Sequence, residues 1–186
     1  MNFDLATSLR RLKPQRRAPR LGRRADGALD FVPDVPEAGA ELLLDTCVYI
    51  DVVQGRTPPR LDRLLGMRIL NHSTIALAEL THLFGRLDPA HAATRPALAR
   101  VSQAIDMIPP HRLSAPSPRA FAEAGMLAGL VARLSGEAAS PTLLMDALLM
   151  LHALESGRVL VTRNIKDFDR LQLLEPRSRV IFYRQV

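Results

Sequence analysis

Tryptophan is absent from this sequence, and cysteine occurs once, at Cys47. A lone cysteine excludes an internal disulfide and a zinc centre built on several thiolates, and it fits a reducing compartment, the cytoplasm. No apolar run reaches the roughly 18 residues that a membrane-spanning helix needs. The best stretch, 143–154, is interrupted by Asp146 and His152. Neither a transmembrane helix nor a secretory signal is expected. Lysine is scarce as well, at two of 25 basic residues. What is plentiful is apolar: 47% of 186 residues are hydrophobic, which excludes a disordered chain and suffices for one domain with a full core.

The net charge of +6 is unevenly spread. Arg10, Arg11, Lys13, Arg16, Arg17, Arg20, Arg23 and Arg24 are eight positive charges with no acid between them; taking eight from +6 leaves −2 for the rest of the chain. The basicity therefore belongs to one arm, followed by a stretch with Gly27, Pro33, Pro36 and Gly39. Residues 1–40 read as an extension with little to bury beyond Phe3, Leu5 and Leu9, expected to be largely disordered or loosely docked. Clustered arginine is also what phosphate neutralisation requires, which makes Arg10, Arg11, Lys13, Arg16, Arg17 and Arg20 candidate nucleic-acid contacts.

Residues 41–186 read as one α/β domain. The run Leu42-Leu43-Leu44 between Glu41 and Asp45 is too short for a core helix and suits a buried parallel strand. Helices are expected over 46–54, ended by Gly55, over 60–65, from a Ser73 or Thr74 cap to about Leu87, over 90–108, from the Ser117-Pro118 start to about Leu134, and from Ser140-Pro141 to Gly157. Strands are expected at 69–71, weakly at 112–113, at 159–162 and at 179–183. Strands alternating with helices imply a mainly parallel, doubly wound sheet of four to five strands.

That connectivity gathers acids. In such a sheet, a helix leaving a strand starts at the carboxyl edge, where ligands of open α/β sheets bind. Asp45 ends the first strand, Glu79 lies one to two turns into the helix after the second, Asp146 lies near the start of the helix leading to 159–162, and Asn164 and Asp167 follow that strand. Carboxylates at one place repel, and a hard divalent cation resolves the conflict. Mg²⁺ or Mn²⁺ among oxygen ligands is the chemistry of phosphodiester hydrolysis. Each acid has a plainer reading: Asp45 as a helix cap, Glu79 as a solvated side chain, Asp146 as a first-turn acid, Asp167 and Asp169 as loop surface charges. No two of the five histidines form a metal-ligand pair; His72, His91 and His111 are expected at the surface or at strand ends, His82 and His152 at the edge of the core.

Four blocks now stand in order: Leu43-Leu44-Asp45-Thr46, Ser73 to Leu80, Asp146-Ala147-Leu148-Leu149, and Leu160 to Phe168. Together they resemble the motifs of PIN-domain ribonucleases, and within that superfamily the VapC toxins of type II toxin–antitoxin pairs. The resemblance covers residues 41–186. It implies a PIN-like, Rossmann-like α/β/α sandwich and a Mg²⁺- or Mn²⁺-dependent endoribonuclease acting on RNA such as tRNA or rRNA. It further implies catalytic acids at Asp45, Glu79, Asp146 and Asp167, a metal site drawn from Asp45, Asp146, Asn164 and Asp167, and supporting hydroxyls at Thr46 and Thr162. A homodimer and a small antitoxin whose tail covers the acidic pocket are implied too. Family members often hold Asp where this chain has Asn164, and the long extension before the first strand departs from the compact pattern.

Three other classes compete. A non-catalytic binding module would keep the fold and use Asn164 in place of a ligand acid. A phosphoryl-transfer enzyme with a nucleophilic first-strand aspartate wants Asp-x-Asp, and Cys47 occupies the second position. A dinucleotide-binding domain wants a glycine-rich turn after the first strand, where none stands.

Overall fold

In a computed structural model describing residues 3–16, 20–35, 37–138 and 140–186, a parallel sheet forms the middle of three layers. Its strands are β1 (Leu42–Leu44), β2 (Leu70–Ser73), β3 (Leu113–Ser114), β4 (Val159–Thr162) and β5 (Val180–Phe182). They lie in the order β3-β2-β1-β4-β5, and all four pairings are parallel. The chain leaves β1 toward β2 on one side and returns to β4 on the other. The order thus reverses between β1 and β4, and a crevice opens beyond their carboxyl ends.

The leucine run shows why these residues make a central strand. Successive side chains of a strand point to opposite faces. Leu43 joins one core with Leu127, Leu148, Leu160, Phe168 and Phe182, whereas Leu42 and Leu44 join the other with Val48, Leu61, Leu80, Val159, Val161 and Tyr183. Leu42 and Leu43 are wholly excluded from solvent, each contributing about 2 kcal/mol of transfer free energy. The helices α2 (Thr46–Gln54), α3 (Pro59–Met67), α4 (Thr74–Arg86) and α5 (Thr94–Asp106) follow β1 and β2. The helices α6 (Pro118–Ser135), α7 (Pro141–Glu155) and α8 (Ile165–Leu174) occur in the second half of the chain.

Local chemistry sets the ends of these elements. Gly55 stops α2 at φ +65°, and Gly157 follows α7 at φ +70°, a left-handed backbone natural to glycine. Ser117 and Ser140 cap α6 and α7, each with proline at the first helical position. The helix expected over 90–108 begins only at Thr94, because Asp88 Oδ1 accepts from the Ala90 amide and His91 Nδ1 from that of Ala93, holding a turn. The stretch after Asn164, expected as a polar loop, is α8 instead. Its apolar face, with Phe168, Leu171 and Leu174 buried, is the signal that reading passed over.

The described residues before β1, expected to be largely disordered or loosely docked, lie against the domain as a strap. A helix α1 (Leu5–Leu12) is capped by Asp4 and buries Leu12. Ser8 donates to Glu123 Oε1 at 2.7 Å, and Arg11 bridges Glu123 and Glu175. Farther along, Arg24 donates from its amide and from Nε to the wholly buried Asp169, at 2.7 and 2.5 Å. The strap ends along the sheet edge, where Phe31 bridges Phe182 in parallel and the Val32 amide donates to the Phe182 carbonyl at 2.9 Å. Composition counted the few apolar residues of this segment; what docks it is three buried carboxylates awaiting cations. Asp169, expected at the surface, is one of them. Among the described residues, no helix is long and apolar enough to cross a membrane.

Candidate functional site

The crevice between β1 and β4 holds a cleft of about 570 Å³ lined by Asp45, Thr46, Glu79, Asp146 and Asn164, together with Cys47, Thr142, Arg163, Ile165 and Lys166. Connectivity therefore brings five of the expected residues to one place. Thr162 stands just behind, wholly buried at the end of β4. Asp167 sits on the first turn of α8, beside Asn164 and outside the lining.

Asp45 is the N-cap residue of α2 by position, yet its carboxylate makes no cap hydrogen bond. Oδ2 accepts instead from the Thr162 hydroxyl at 2.5 Å and from the Cys47 thiol at 3.0 Å. The plain cap reading is thus replaced by a link across the two central strands. The Thr162 hydroxyl oxygen in turn accepts from the Asn164 amide at 2.9 Å. Glu79, half-buried on the second turn of α4, accepts a hydrogen bond from the Thr46 hydroxyl. Asp146 lies on the second turn of α7 and is buried. Asn164 donates its side-chain amide to Asp146 at 3.0 Å and to Asp167 at 3.1 Å, while its oxygen caps α8 by accepting from the Asp167 amide at 3.3 Å.

The electrostatics are those of crowded acids. Burial pushes the Asp146 carboxyl up to about 8, and the charges of Asp45, Asp167 and Glu79 push the same way, against the opposing hydrogen bond from Asn164. Burial also raises Asp45, offset in part by Thr162 and Cys47, and raises Glu79, offset by Thr46. The Cys47 thiol is raised by burial and by the neighbouring Asp45, so it stays protonated and serves as a donor, not a nucleophile.

The donor set fits a hard divalent cation: oxygen ligands, crowded negative charge, and a raised carboxyl that a cation would ionise. The side chains are not yet gathered as ligands. Among the described residues, no three Asp, Glu, His or Cys side chains are grouped so as to hold a metal ion. Asp45, Glu79, Asp146 and Asp167 each accept a hydrogen bond from a hydroxyl, thiol or amide neighbour instead.

The other candidates fall elsewhere. Arg11 is committed to Glu123 and Glu175, whereas Arg10, Lys13 and Arg20 are exposed. Arg17 lies outside the described residues, as does the side chain of Arg16. His72, at the end of β2 as one expectation had it, and His152 are both buried: Tyr49 pairs with His72 Nδ1 at 2.5 Å, and His152 sits between Ser73 and Ser114 at 3.0 and 3.1 Å. His82 is exposed. Sequence reasoning missed Arg163, Lys166 and Thr142 in the lining. For Arg163 and Lys166 a signal existed, since both lie inside the Leu160–Phe168 block.

No protein-family model matches this sequence, and none of the curated proteins does. Solved structures do match in shape. VapBC2 from Rickettsia felis, bound to a fragment of promoter DNA, superposes with a TM-score of 0.56 at 18% identity over 77% of this chain and 98% of that one. DNA-bound VapBC from Salmonella typhimurium gives 0.54 at 24% identity over 76% and 97%. FitAcB from Neisseria gonorrhoeae gives 0.55 at 19% identity over 76% and 96%. The chain shares their fold: a PIN-like α/β/α sandwich around a five-stranded parallel sheet.

Proposed function

We propose that this chain is a metal-dependent endoribonuclease hydrolysing RNA phosphodiester bonds, the toxin of a type II toxin–antitoxin pair. The observation that carries the reading is Asp146: buried at the carboxyl edge and pushed up to about 8 by burial and by three neighbouring acids, Asp45 just after β1, Glu79 on α4 and Asp167 on α8. Its likeness in fold to the VapBC and FitAcB structures supports the toxin class and an antitoxin partner.

Asp45 and Asp146, with Asn164 or Asp167, would hold Mg²⁺ or Mn²⁺. The ion supplies an activated water and positive charge opposite the phosphodiester. Thr162 orients Asp45, and Thr46 orients Glu79. Glu79, half-buried with its carboxyl raised, is the group of the cleft suited to take a proton from the attacking water. The substrate is RNA such as tRNA or rRNA, the working form a homodimer, the compartment the cytoplasm. If the arm helps to hold RNA, replacing exposed Arg10, Lys13 and Arg20 together by Gln weakens binding at low salt and leaves the strap's buried ion pairs intact.

One observation favours the alternative of a non-catalytic RNA- or protein-binding module. The Asn164 amide already satisfies Asp146 and Asp167, as a cation otherwise would. Incubating a labelled tRNA and rRNA pool with the protein in Mg²⁺, Mn²⁺ or EDTA, beside Asp146→Asn and Asp45→Asn, decides between them. Discrete, EDTA-sensitive cuts lost in both variants are expected. Uncut RNA with either metal, from folded protein free of any bound partner, selects the binding module.

A further inference from the structure

The acidic cleft has a cation of its own. Arg163 follows β4 directly and lines the cleft with Asp45, Glu79 and Asp146. Its backbone amide donates to Cys47 Sγ at 3.3 Å, and its Nε forms an ion pair with Asp51 Oδ2 at 2.8 Å. Asp51, on α2, is wholly buried and is also held by the Tyr183 hydroxyl at 2.7 Å and by Gln185 Nε2 at 2.6 Å. An ion pair to a buried carboxylate restrains the planar guanidinium at this place beside the cleft. Among the described residues, its outer nitrogens, Nη1 and Nη2, have no partner, and the side chain is 41% exposed. The other cation of the lining, Lys166, is engaged with Glu137 at 2.9 Å.

A partner for Asp51 alone would need only one donor, and Asp51 already has two others. An arginine ion-paired through Nε, with its two outer nitrogens without a partner among the described residues, is suited to a ligand with paired oxygens. Beside several acids, that ligand must be an anion that a cation can also bridge.

We infer that Arg163 is the residue of this cleft that grips an RNA phosphate, aimed by Asp51 as its positioning residue. The substrate class rests on the reading given under Proposed function; the grip itself is a binding property, measurable without cleavage. One backbone phosphate beside the scissile position is bound by the fork, and Tyr183 and Gln185 hold Asp51 in place behind it.

The test measures binding of a fluorescently labelled total tRNA pool by anisotropy, in EDTA so that nothing is cut, from 50 to 300 mM KCl. Arg163→Gln is expected to weaken binding roughly tenfold at the lowest salt and to reduce the slope of log affinity against log salt by about one phosphate contact. Because Gln leaves Asp51 without its cation, Arg163→Lys is measured in parallel. A lysine can neutralise Asp51, but an ammonium held there has no fork to offer the cleft. Arg163→Lys should therefore fold normally and still lose most of the affinity and the same part of the slope. Recovery of wild-type affinity and slope in Arg163→Lys would reduce Arg163 to a structural partner of Asp51 and overturn the inference, as would unchanged binding in Arg163→Gln or no binding by the wild type. Cleavage in Mn²⁺ separates the two claims. Binding that depends on Arg163 without cleavage removes the nuclease reading and keeps the grip. Cleavage with binding unchanged in both variants removes the grip and keeps the nuclease.

Discussion

Asn164 donates its side-chain amide to Oδ2 of Asp146 across 3.0 Å, joining the residue after β4 to the second turn of α7. A carboxylate at position 164 could not make this bond while ionised. Asn164→Asp would cap α8 equally well, so the helix is not at risk. It would add a charge to the acids around Asp146. Without divalent cations the variant should be less stable at neutral pH by on the order of 1–2 kcal/mol, about one pKa unit of added repulsion. Mn²⁺ should raise its melting temperature more than that of the wild type. Equal thermal shifts in EDTA and in Mn²⁺ would contradict this.

The raised acids set the pH dependence of stability. Asp146 has a carboxyl near 8 in the folded protein against 3.8 in the unfolded chain. Between those values the native state keeps a proton that the unfolded state has released, so stability falls as pH rises through that window. Asp45 and Glu79 are shifted the same way and add to the slope. Asp146→Asn should flatten the profile and be more stable than wild type at pH 8 by on the order of 3 kcal/mol. Urea unfolding at pH 5 and pH 8 in EDTA measures it; an unchanged slope would count against the crowding of charge.

Histidine acts at the other end of the scale. Burial holds His72 and His152 below the ordinary value of 6.5, so the unfolded chain takes up protons first and stability is lost as pH falls below that value. In Asp146→Asn, with much of the opposing slope gone, this acid-side loss should stand out between pH 6.5 and 5. A variant that keeps gaining stability toward pH 5 would show that the two rings take up protons without cost.

The strap's arginines should differ in weight. Glu123 keeps Arg119 and Ser8 if Arg11 is removed, and Glu175 keeps Arg177. Among the described residues, Asp169 has only the Arg24 amide left once the guanidinium is gone. Arg24→Gln is therefore expected to cost about 3 kcal/mol and Arg11→Gln about half of that, whereas exposed Lys13→Gln should stay within about 0.5 kcal/mol. Chemical unfolding of the three variants tests the ranking, and equal losses would remove the distinction.

Most of the fold was legible from local pattern because its signals are local. Leu42-Leu43-Leu44, the glycines that close α2 and α7, and the Ser-Pro starts of α6 and α7 each act within a few residues. The cleft was legible because parallel connectivity alone sends Asp45, Glu79 and Asp146 to one edge. What escaped is long-range pairing. Nothing near Asp169 announces Arg24, which lies 145 residues earlier, and nothing near Asp51 announces Tyr183, 132 residues later. A buried carboxylate looks like a surface one until the chain supplies its partner.

The most direct measurement is a calorimetric titration of Mn²⁺ into wild-type protein and Asp146→Asn at pH 7, each in two buffers of different ionisation enthalpy. A cation seated among acids with raised carboxyl values must drive protons off as it binds, so the observed enthalpy should depend on the buffer. Saturable binding with proton release in the wild type, weakened at least tenfold and with less release in Asp146→Asn, is the predicted result. Absence of saturable binding in the wild type, or equal affinity and proton release in both proteins, would contradict a cation site at the carboxyl edge of this sheet.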